Sequence, residues 1–114
     1  MKRTGRKESV IALAMTWDGA RHPTRSLPPK ARAFLAGKSR NAIAPSQAKM
    51  ASLFADDCVK EIRVCWVPKL RGGDDVLSAP FPAPSGRRLC FQAARTIHFD
   101  DLLGVVYRRT ASKA

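Results

Sequence analysis

The spacing of apolar residues changes period along the chain, and each change marks an element. Residues 9–17 read Ser-Val-Ile-Ala-Leu-Ala-Met-Thr-Trp. Alternation there puts Ile11, Leu13, Met15 and Trp17 on one face of a strand. Ala, Leu and Met also favour a helix, but the alternation argues for the strand. Asp18-Gly19 ends the element under either reading.

Residues 20–27 read as a loop. Leu27-Pro28-Pro29 then opens a helix, because proline is tolerated in a first turn whose amides lack partners anyway. It is expected over residues 29–36, with Ala31, Phe34 and Leu35 on one face. Gly37 supplies the left-handed terminator. Residues 38–44 form a basic connector. Pro45-Ser46 announces a second helix with Ser46 as N-cap. Its core face is read as Ala51, Phe54, Ala55 and Cys58, with Met50 at the edge, and it should stop near Asp57.

The period then falls to 2. Over residues 60–68, Ile62, Val64 and Trp66 line one face of a strand and Arg63, Cys65 and Val67 the other. Pro68 limits it. Residues 71–75 read as a turn, and a short strand is expected at 76–78. Pro80, Pro82 and Pro84 cannot donate ladder hydrogen bonds, so that stretch should be extended. A long strand follows over 88–99, then a turn at Asp100-Asp101. A last strand spans 102–109, with Leu103, Val105 and Tyr107 on one face.

This order is a strand, two short helices, then an antiparallel meander of three or four strands. It is an α+β domain, in which the meander either stays open or curls into a small barrel-like sheet. A chain of 114 residues suits one domain. Residues 1–8 read as a basic flexible arm, 9–109 as the domain, and 110–114 as a frayed tail.

Charge is the strongest global signal. The formal net charge is +12, and residues 1–49 hold eleven Lys and Arg against only Glu8 and Asp18. Such asymmetry points to a polyanionic partner. Arg21 and Arg25 share one loop, Lys38 and Arg40 another, with Lys30 and Arg32 on the helix between. If the loops lie on one side, these residues form a patch that neutralises phosphates. Lys2, Arg3, Arg6 and Lys7 of the arm would add to it, and Arg87 and Arg88 would join from the strand side. The expectation is a nucleic-acid-binding module that reads backbone or shape, with RNA slightly favoured over DNA. A solvated basic surface is the plain alternative. A protein-interaction module or small inhibitor docking on an acidic partner is the second function class. A small ribonuclease using His22 and His98 is the third.

Other chemistry finds less support. The connector between the helices is too long for a helix-turn-helix. No nucleophile elbow or phosphate loop occurs. The Asp56-Asp57, Asp74-Asp75 and Asp100-Asp101 doublets fall where turns are expected, a position aspartate favours. Cys58, Cys65 and Cys90 lack zinc-finger spacing and are odd in number, which suits reduced cytoplasmic thiols. No catalytic residue, metal or cofactor is assigned from the sequence, and the chain is read as non-enzymatic. No apolar run approaches the roughly 20 residues of a membrane span, so no membrane partner is expected.

Overall fold

The computed structural model describes residues 9–37, 42–70 and 89–110. Strand β1 (Ser9–Thr16) is followed by a 3-10 turn at Thr24–Ser26, helix α1 (Pro29–Ala36) and a two-residue strand β2 (Ala42–Ile43). Helix α2 (Gln47–Ala55), strand β3 (Val59–Val67), strand β4 (Phe91–Phe99) and strand β5 (Leu102–Arg109) complete the order. The class is α+β.

The strands form one sheet in the order β2-β1-β3-β5-β4. β1 pairs in parallel with both β2 and β3. β5 pairs antiparallel with β3 and β4. The strands after the helices thus pair antiparallel with one another as expected, but β5 lies between β3 and β4, and the parallel pairing of β1 makes the whole sheet mixed. The barrel alternative is corrected, because the sheet is open, with β2 and β4 at its edges. The physical reason lies in β1. It is apolar on both faces, from Val10 to Met15, and every residue after Ser9 is buried. A strand covered on both faces is the mark of a parallel sheet centre.

Right-handed crossovers then set the layers. The chain moves from β1 to β2 on one side, then back past β1 to β3 on the other. Reversing direction with one handedness sends the two helices to opposite faces. Ile11, Leu13 and Met15 accordingly meet Met50 and Phe54 of α2, together with Val64. Ala12 and Ala14 on the other face meet Leu27, Ala31 and Leu35 around α1. The alternation of large and small residues in β1 lets α1 sit close to the strand.

Helix boundaries follow local chemistry. Pro29 occupies the first turn of α1, and the Gly37 N–H, at φ 56°, closes the helix on Ala33 O. The Ser46 hydroxyl accepts from Lys49 N at 3.2 Å, capping α2. Met50 is fully buried, while Ala51 and Ala55 are exposed. The apolar face of α2 is thus rotated from the expected one and centres on Met50 and Phe54. Trp17 lies just past β1 and is 65 % exposed. The expected strand at 76–78 and the proline segment fall outside the described residues.

Cys65 is fully buried in the core on the α1 face, and burial raises its thiol pKa above the ordinary 9.0. Cys58 is also buried, while Cys90 is half-buried. Only Cys90 should react rapidly with a thiol reagent in the native protein. Denaturation should release Cys58 and Cys65 together, as read by mass spectrometry of the alkylated chain. The raised thiol pKa also has a pH consequence. The unfolded chain loses this proton first as pH rises, so its contribution to stability is full below the ordinary thiol range and declines above it. Fast labelling of Cys65 under native conditions would show that the β3 core is not closed.

Candidate ligand-binding site

In open α/β sheets, ligands sit outside the carboxyl ends of the parallel strands, where the winding reverses. β1 is that strand here, between β2 and β3. The loop after it is built around Thr16, the one fully buried polar residue of the described core. Its hydroxyl donates to Asp18 Oδ1 at 2.5 Å and accepts from Ala20 N at 3.1 Å. Gly19, at φ 91°, makes the reversal, and its N–H donates to Thr16 O. The returning segment then runs back along β1, with His22 N donating to Ala14 O at 2.9 Å. Met15 and Arg21 form the matching bridge.

Arg21 ties this loop to the end of β2. Its Nη2 donates to Pro45 O at 2.8 Å, and its Nε is buried with no partner among the described residues. Burial lowers its pKa from the ordinary guanidinium value. On the other side of β1, Trp17 N donates to Lys69 O at 3.0 Å, which joins the loops after β1 and β3.

A cleft of about 670 Å³ opens at this end on the α1 face. Leu27, Val67, Phe99 and Leu102 give it an apolar floor. His22 and Lys69 enter from the loops after β1 and β3, and Asp100 and Asp101 from the turn joining β4 to β5. The start of α1, at Pro28, closes it. An apolar floor with a few polar groups of both signs suits a flat organic body with a polar appendage. His22, Lys69 and the two carboxylates also bring proton donors and acceptors into one place.

Of the basic residues singled out by the sequence, the four that the structure describes, Arg21, Arg25, Lys30 and Arg32, do not line this cleft. Arg25 lies exposed in the 3-10 turn. Lys30 borders a cavity with His98 and Phe99, whereas Arg32 borders another with Ile43 and Ala44. These two are on opposite flanks of α1. Arg21 is spent on Pro45. Lys2, Arg3, Arg6, Lys7, Lys38, Arg40, Arg87 and Arg88 lie outside the described residues. His22 and His98 line separate cavities. Asp56-Asp57 ends α2 and Asp100-Asp101 turns a hairpin, with Asp57 and Asp100 at positive φ; Asp74-Asp75 lies outside the described residues. Among the described residues no three His, Cys, Asp or Glu side chains form a metal-binding group, and no helix is long and apolar enough to cross a membrane. Lys69 was missed by the sequence reading, and its only local signal is its place after the Pro68 that ends a strand.

No family model matches the chain, and no curated protein matches it either. Solved structures do. The chain is similar to a putative riboflavin biosynthesis protein from Shewanella sp. PV-4, at 12 % identity and a TM-score of 0.55, over 91 % of this chain and 99 % of that one. It is also similar to Acinetobacter baumannii RibD, at 18 % identity and a TM-score of 0.47, over 61 % of this chain and 20 % of that one. The first match shows a shared fold. It corrects the nucleic-acid-binding reading, RNA and DNA alike, since the architecture is that of a protein ascribed to riboflavin biosynthesis. The physical reason for the error is that a net charge counts cations without direction. Of the predicted cations that the structure describes, Arg21 turns to Pro45, and Lys30 and Arg32 border different cavities.

Proposed function

We propose that the chain is an enzyme domain of small-molecule metabolism. Its ligand is a planar nitrogen heterocycle of the riboflavin-biosynthesis kind, held in the cleft at the carboxyl ends of β1 and β3. The observation that carries this reading is the position of the cleft. It lies at the winding reversal of a sheet whose fold is shared, almost end to end, with the Shewanella protein. Phe99, Leu27 and Leu102 offer the ring an apolar floor, and aromatic contact with Phe99 adds to the buried area. His22, Lys69, Asp100 and Asp101 surround the ring edge and tail, where they bind hydroxyl groups and move protons.

Riboflavin and its 5′-phosphate are suitable probes because they share the ring and differ in tail charge. Calorimetric titration should show both binding at the cleft, riboflavin the more tightly, because Asp100 and Asp101 outnumber Lys69 there and repel the phosphate. Lys69→Ala should widen that difference and leave riboflavin affinity nearly unchanged, since Lys69 is exposed and carries no core contact. Absence of binding by either probe at millimolar concentration would overturn the ligand class.

A further inference from the structure

A second groove, of about 700 Å³, lies on the sheet face between α1 and β4. It holds Arg63, Arg95 and Arg108 against one carboxylate, Glu61, leaving two positive charges in excess. From this arrangement we infer that the groove binds a small phosphate monoester with an aromatic body. This site shares Phe99 alone with the cleft proposed above and does not depend on that reading.

Register brings the arginines together. Arg63 and Arg95 both pair with Val106 of the intervening β5, and Arg108 pairs with Glu61 one row away. A shift in register between Ala93 and Arg95 marks a bulge in β4, a device that re-aims a side chain. Arg95 is exposed and has no partner among the described residues. Arg63 is held in place instead. Its Nε donates to Glu61 Oε2 at 2.6 Å and its Nη1 to Leu35 O at 3.3 Å, and its side chain is only 14 % exposed. Arg108 Nε lies 3.4 Å from the other Glu61 oxygen. One carboxylate thus orients two guanidinium groups and neutralises only one of them. A planar fork matches phosphate oxygens in pairs.

Two glycines make the groove possible. A Cβ on Gly37 would fall 1.9 Å from Arg63 Nη1, so glycine leaves the space the guanidinium fills. A Cβ on Gly104 would fall 2.9 Å from both Phe34 and Phe99. Their rings therefore lie down on the β5 backbone with centroids 5.6 Å apart. They give the groove an aromatic wall beside its cationic end.

Calorimetry with phenyl phosphate and with inorganic phosphate tests this. Phenyl phosphate should bind about tenfold or more tightly than inorganic phosphate, because only it uses the aromatic wall. Arg95→Ala should weaken phenyl phosphate about tenfold, the loss of one charge-assisted contact. It should leave the melting temperature and riboflavin affinity unchanged, since Arg95 is exposed and does not line the other cleft. Undetectable phenyl phosphate binding, equal affinity for the two probes, or full affinity in Arg95→Ala would each overturn the assignment.

Discussion

Leu13→Ala should destabilise the domain by about 2–5 kcal/mol, the range for emptying a packed core position. Leu13 is 1 % exposed at the middle of β1, among Met50, Phe54 and Val64. β3, paired to Leu13 through Val64, and α2 hold the space rigid, so the cavity cannot collapse easily. Against a typical total of about 5–15 kcal/mol, this removes a large share of the stability. Leu13→Ile keeps the volume and should cost less than about 1.5 kcal/mol. Urea unfolding of both variants gives the comparison. A loss below about 1 kcal/mol for Leu13→Ala would mean that α2 does not seal this face. The layering, and with it the placing of the cleft, would then be wrong.

Phe99→Ala should have the largest effect on ligand binding, because Phe99 lies under both the cleft and the groove. Riboflavin affinity should fall at least about tenfold, which corresponds to about 1.4 kcal/mol. The expected cause is loss of the aromatic floor and of the Phe34 contact that fixes it. Some stability is lost as well, since Phe99 is packed on the α1-face core. Phe99→Leu separates the two effects. It retains most of the volume and should keep the fold, yet still weaken the heterocycle by removing the ring face. Equal riboflavin affinity in wild type and Phe99→Leu would exclude stacking on this residue.

Much of the local structure was legible in the sequence. Pro29 and Gly37 bracket α1, Ser46 caps α2, and alternation marks β3 and β5 close to their observed limits. These features depend on residues a few positions apart. The sheet order does not. Ala12 and Ala14 already make β1 apolar on both faces, which signals a buried parallel strand, but alternation alone drew attention to one face only. β2 spans two residues, below what any periodic pattern can mark. Its absence from the sequence reading hid the reversal and therefore the cleft.

The sites were less legible for a related reason. His22, Lys69 and Asp100 are far apart in the chain and meet only once β1, β3 and the hairpin are aligned. The same holds for Arg63, Arg95 and Arg108, each of which reads locally as an ordinary solvent-side residue of a strand. The basic first half drew attention away from them. Arg21 illustrates the problem: its sequence context reads as a surface cation, while the fold turns it into a clasp on Pro45 with a buried, unpartnered Nε.

The most direct test is an amide chemical-shift map of the isotopically labelled protein titrated with riboflavin. The shifts should cluster at residues 17–22, 67–70 and 99–102, around the carboxyl ends of β1 and β3. Shifts confined to the opposite end of the sheet, near Ser9 and Val59, or no saturable shifts at all, would contradict the placing of a ligand site at the winding reversal.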